Sequence, residues 1–176
     1  MEEPDATHPE DPAHPEDPAH PEARAVIDRL GLVRNPLGGW FRQVHECPAP
    51  SGSGRPVATV ITYLLDAARP ATVLHRMSAD AIHYFHQGCP LAVITVSSTG
   101  RASRQVLGLD PDAGHSLQVV VSGETWKAFE LTGGPWALIS EAVTPGWVSS
   151  DQEEATPELY QRQYPHLGAA IARFVR

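Results

Sequence analysis

The sequence predicts an all-β barrel or sandwich with one helix before it and short helices after it. Three observations carry this reading. Nine short runs of alternating or apolar residues follow one another from Trp40 to Val143. The segments between them are built from Gly, Pro, Asp and Ser ("PAPSGSGRP", "DAARP", "STG", "DPDAGHS", "SGE", "TGGP"), which favour turns and end strands. Helical spacing of apolar residues is confined to the two ends of this region.

Residues 1–22 come first. The hexapeptide "HPEDPA" occurs at His8 and at His14, and "HPEARA" follows at His20. Proline at every third residue or so blocks both helix and sheet ladders, and almost nothing apolar is available to bury. A disordered acidic tail is expected over 1–22, with the domain occupying 23–176. The recurring His and Glu give the tail a second reading, as a weak metal-binding or partner-docking segment.

The domain opens with "PEARAVIDRLGL". Ala25, Val26, Leu30 and Leu32 have roughly helical spacing, and Gly31 reads as a C-cap. The expected strands are then Trp40–His45, Ala58–Leu65, Thr72–His75, Ala81–Phe85, Ala92–Ser97, Arg104–Leu109, Leu117–Val121, Trp126–Leu131 and Trp136–Val143. The end, "PELYQRQYPHLGAAIARFVR", reads as one or two short helices broken at Pro165.

Charge narrows the function classes. Eight acids and no Lys or Arg lie in residues 1–22, so the formal charge of −8 belongs to the tail and the domain is formally neutral. A neutral domain without a basic stripe is a poor nucleic-acid binder, and it lacks the polybasic patch of a membrane-surface protein. No apolar run approaches the length needed to cross a bilayer. Two cysteines, Cys47 and Cys89, do not make a disulfide scaffold and fit a reducing cytoplasm, the expected location. One lysine, Lys127, stands against twelve arginines, which points to a GC-rich genome. No phosphate loop, nucleophile elbow or Cys-x-x-Cys pair is present.

The motifs "NPLGGWFRQVHE", "LHRMSADAIHYFHQGCPL", "QVVVSGETWKA" and "ALISEAVTPGWVSSD", followed by "LYQRQYP", occur in an order that resembles the cupin superfamily, specifically its fifth family of small bacterial and fungal cupins. The resemblance runs from Ala25 to the C-terminus. It implies a double-stranded β-helix (the cupin jelly roll) with one cavity, in a homodimer. It implies little about the reaction, because cupins host many chemistries.

Metal-binding cupins present two histidines, a glutamate and a last histidine. Aligned on Gly88 and on Val121–Gly123, those positions here hold Val73, His75, Ala81 and Trp126. One imidazole does not hold a metal tightly, so neither metal nor cofactor is expected. The chain also departs from its own branch: Leu37 stands at the motif glutamate, Asn35 at the histidine before it and His83 at the tryptophan position.

Strand alternation then assigns faces. With His75 inward, Ala81, His83 and Phe85 also point inward, and Ile82, Tyr84 and His86 point out. Trp126, Ala128 and Glu130 are expected to share the cavity. The expected catalytic set is His75 and His83 as acid and base, with Glu130 orienting one of them. Gln43, Tyr63, Phe85 and Trp126 are the expected substrate-binding walls. Each of these also fits a plain structural role, as a hydrogen-bonded core histidine, an acid at a strand end or a packing aromatic.

The function expected is a metal-independent cupin enzyme. It would catalyse proton transfer (isomerisation, epimerisation, cyclisation or elimination) on a small, fairly apolar molecule, in the context of secondary metabolism. Two alternatives stand beside it: a non-catalytic small-molecule binder, and a metal-dependent cupin using His75, His83 and a carboxylate such as Glu130.

Overall fold

A computed structural model describes residues 20–49 and 54–176. The repeat-bearing tail therefore lies outside the described residues except for its last three, of which Pro21 and Glu22 belong to the first turn of a helix.

That helix, α1 (Pro21–Leu30), has proline in its first turn, where no N–H is needed, and ends on Gly31 in the left-handed region, φ 61°. Its Ala23 and Ile27, one turn apart, are buried in one cluster with Trp40, Leu64 and Trp136, so the helix packs against the β structure through this face.

Among the described residues eleven strands follow: β1 (Val33–Arg34), β2 (Trp40–Cys47), β3 (Ala58–Asp66), β4 (His75–Arg76), β5 (Asp80–Gly88), β6 (Leu91–Val96), β7 (Ala102–Leu107), β8 (Gln118–Val121), β9 (Trp126–Leu131), β10 (Trp136–Thr144) and β11 (Glu153–Glu154). They form two sheets, ordered β1-β2-β3-β10-β5-β8 and β11-β4-β9-β6-β7. Every named pairing is antiparallel. Non-sequential neighbours such as β3-β10-β5 and β4-β9-β6 give the jelly-roll topology. The all-β expectation and eight of the nine expected strands are found, with ends differing by a few residues.

The ninth, Thr72–His75, is a two-residue strand. The backbone before it is fully bonded, but to three different elements. Thr72 N donates to Phe129 O, Val73 N to Leu37 O and Leu74 N to Phe174 O. A segment that stitches three neighbours together cannot also run as one ladder.

Between the sheets lies an apolar core that includes Leu65, Phe85, Leu91, Val93, Leu107, Phe129 and Ile139. A second cluster covers the outer face of the second sheet. There Trp126, Ala128 and Ile94 share burial with Tyr160, Tyr164, Ile171 and Phe174 from the C-terminal segment. That segment is α2 (Pro157–Gln163), a 3-10 turn at Pro165–Leu167 and α3 (Gly168–Ala172), with the break at Pro165 as expected. Thr156 caps α2, its hydroxyl accepting from Leu159 N at 3.2 Å.

Candidate functional site

One end of the inter-sheet space is a cavity of about 280 Å³. Phe41, Ile61, Met77, Phe129 and Val143 give it apolar walls, and Asn35, Leu37, Gln43, Trp147 and Gln152 also line it. The turn Asn35–Gly39 belongs to this lining, and Tyr63 fixes it by donating its hydroxyl to Gly38 O at 2.6 Å. Gly39, φ 72°, has no room for a side chain: a Cβ would lie 2.5 Å from Leu64 O. This is why the "LGG" turn can lie flat over β3.

The buried cluster of imidazole, ammonium and carboxylate groups at the site is four side chains contributed by two cross-strand pairs. On the first sheet His83 of β5 stands opposite Glu141 of β10. On the second, His75 of β4 stands opposite Lys127 of β9. Directly opposed residues share a face, and both pairs point into the space between the sheets. Exposure is 5% for His75, 0% for His83, 1% for Lys127 and 8% for Glu141.

Lys127 ties the cluster together. Its Nζ donates to Glu141 Oε1 at 2.5 Å and to His83 Nε2 at 3.2 Å. The second contact requires an unprotonated Nε2, so the His83 proton sits on Nδ1, which donates to Val119 O at 3.2 Å. His83 Nε2 is 3.6 Å from Glu141 Oε2, beyond hydrogen-bond reach. The edge of the imidazole meets the Phe129 ring, with centroids 5.0 Å apart.

His75 carries its proton on Nδ1 as well, which donates to Val73 O at 2.9 Å. Its Nε2 is left as a lone pair on a side chain that lines the cavity.

Burial lowers the His75 pKa to about 4, and the Lys127 charge adds to the effect. His83 is lowered by the same two causes in the same order. Burial alone would raise Glu141, but the Lys127 ammonium outweighs it and holds the carboxyl well below the usual carboxylate range. At neutral pH the cluster is therefore two neutral imidazoles and one matched ion pair.

Of the residues expected from sequence, His75, Gln43 and Tyr63 line the cavity. His83 lies beneath it, in contact with Lys127. Phe85 packs in the apolar core between the sheets.

Trp126 and Glu130 require a correction. The residues of β9 that face the cavity space are Lys127 and Phe129, one position out of phase with the expectation. Trp126 is buried against the C-terminal segment. Glu130 accepts from Arg173 Nη2 at 2.8 Å and does not meet either histidine. Four consecutive residues of β9 are buried, because both faces of the strand are covered, so alternation of polarity gives no phase. The carboxylate that meets a histidine is Glu141, and sequence reasoning passed over both it and Lys127. The available signal was compositional: the chain's single lysine falls inside a predicted strand.

A metal ion does not fit this donor set. Lys127 already takes the His83 Nε2 lone pair and one Glu141 oxygen, the atoms a metal would need. Among the described residues, no three His, Cys, Asp or Glu side chains converge as a metal-ligand group. No helix among the described residues is long and apolar enough to cross a membrane.

Comparison with known proteins adds the family. A family model described as Cupin superfamily (DUF985) matches residues 24–155. A solved protein from Shewanella oneidensis is 27% identical, with TM-score 0.82, over 88% of this chain and 97% of that one. A hypothetical protein from Leishmania major is 24% identical, with TM-score 0.81, over 87% and 98%. Oxalate decarboxylase from Bacillus subtilis shares the fold alone, at 15% identity and TM-score 0.52, over 72% of this chain and 30% of that one. No curated protein matches the chain.

Proposed function

We propose, from the premise that this chain belongs to the cupin superfamily in its DUF985 family, that its cavity takes up a small, fairly apolar molecule and moves a proton on it without a metal. The observation that carries this reading is the buried Lys127–Glu141 pair between two histidines. The ammonium occupies the His83 and Glu141 lone pairs that a metal at this cluster would need. His75 is the catalytic residue in this reading, since its bare Nε2 is on the cavity lining and can accept a substrate proton. Glu141, also on the lining, stabilises the imidazolium that forms. His83 is a positioning residue that acts through Lys127. The apolar walls keep water from a reactive intermediate.

One observation favours a second reading, a binder without turnover. A His75 pKa of about 4 makes a weak base at neutral pH. The two readings separate in one experiment. The molecule captured from a metabolite extract is identified by mass spectrometry and then incubated in D₂O with the protein and with His75→Ala, each with and without a chelator. Proton-transfer chemistry predicts deuterium incorporation or an isomeric product, unaffected by chelator and slowed about 10²–10⁴-fold in the variant. A ligand returned unlabelled and unchanged would establish the binder, and loss of turnover on chelation would remove the metal-independent reading.

A further inference from the structure

We propose that the cavity selects an uncharged ligand that donates a hydrogen bond, a hydroxyl-bearing molecule, and discriminates against carboxylates and protonated amines. This rests on reading the cavity as a small-molecule site, whether or not turnover follows binding.

The proposal comes from the polarity of the cavity floor. The proton of His75 is committed to Val73 O at 2.9 Å, so toward the cavity the ring offers only an acceptor. Glu141, beside it on the lining, is a second acceptor. A ligand seated here satisfies the floor by supplying a donor, which a hydroxyl does and a carboxylate does not.

Charge excludes the ions. Among the described residues, no Arg or Lys lines the cavity. The nearest cation, Lys127, is spent on Glu141 at 2.5 Å and sits behind it. A carboxylate entering would leave water to meet Glu141 and the His75 lone pair at the floor, with only neutral donors such as the amides of Asn35, Gln43 and Gln152 on the walls. A protonated amine would find the one negative side chain already matched. Either ion would give up hydration in a largely apolar cavity without gaining an unmatched counter-charge, which is unfavourable. A neutral donor carries no such penalty.

The test uses three ligands of one shape: benzyl alcohol, benzylamine and benzoate. Binding is followed by calorimetry on the intact chain at neutral pH. Benzyl alcohol should bind at least about tenfold more tightly than either ion. Tighter binding of benzoate or of benzylamine would overturn the proposal, as would failure of benzyl alcohol to bind at millimolar concentration.

Glu141→Gln sharpens it, because Lys127 then becomes an unmatched cation under the floor. Benzoate should gain on benzyl alcohol by about tenfold or more in that variant. An unchanged order in a folded Glu141→Gln protein would show that Lys127 does not set the selectivity. If the variant does not fold, the wild-type order still decides. Absence of deuterium incorporation into the captured molecule would remove the catalytic reading above and leave this order untouched.

Discussion

The two faces of β9 are almost equally dry and chemically opposite. On one face Trp126 and Ala128 lie in an apolar cluster with Tyr160, Tyr164 and Phe174. On the other, one residue along, Lys127 is 1% exposed and holds a carboxylate and an imidazole. The outer face is mostly ring and aliphatic packing, with Arg76 over the Trp126 ring at 4.7 Å and no hydrogen-bond partner for the Trp126 indole N–H among the described residues. On the inner face each polar group depends on the next. Burial alone therefore says little about what a position tolerates. What decides is whether removing a side chain strands a charge.

The sharpest way to break this contrast is Lys127→Ala. It leaves Glu141 buried without its ammonium, and the expected loss in urea denaturation is about 3–5 kcal/mol. Lys127→Met combined with Glu141→Leu removes both charges and should recover most of that loss. If the single variant lost less than about 1 kcal/mol, the inner face would not be the interdependent unit described above.

The next effect is on pH. His75 has an ordinary value near 6.5 when unfolded and about 4 when folded. Between these values the unfolded chain binds the proton and the folded chain does not. Stability is therefore fully present above about pH 6.5 and is lost as pH falls toward 4. The size of the shift corresponds to a loss on the order of 3 kcal/mol, and His83, lowered in the same direction, adds to it. His75→Gln should flatten the stability–pH profile over that window. An equally steep profile in the variant would assign the dependence to other groups.

On the outer face, Trp126→Phe should cost only about 1–2 kcal/mol, because the unbonded N–H it removes offsets part of the lost packing. A loss matching that of Lys127→Ala would erase the difference between the faces. The smallest effect belongs to Glu130→Gln. Its partner Arg173 is more than half exposed, so stability should change by no more than about 0.5 kcal/mol and benzyl alcohol affinity should not change. A clear loss of affinity would return Glu130 to the cavity, where alternation had put it.

How much of this was legible beforehand depended on exposure. In β5, Tyr84 and His86 reach solvent while Ala81, His83 and Phe85 do not. Alternation there had a wet face to set its phase, and the inward histidine was read correctly. In β9 the C-terminal segment dries the second face, so alternation has no phase there and nothing local points Lys127 inward. Glu141 was hidden for a different reason. Within "ALISEAV" an acid reads as an outward or strand-end residue, and only the pairing of β10 with β5 brings it opposite His83. The strand runs themselves were legible because turn residues separate them. The short β4 was not, because its backbone bonds to three distant elements that no local pattern announces.

Lys127 is the chain's one lysine and is sealed inside. In reagent terms, the folded domain's surface presents arginine but no ε-amine. Amine-directed cross-linkers, biotin esters and acylating reagents should find no lysine to modify until the sheets part. Modification of Lys127 then becomes a clock for opening of the barrel, with the cavity cluster as its reporter.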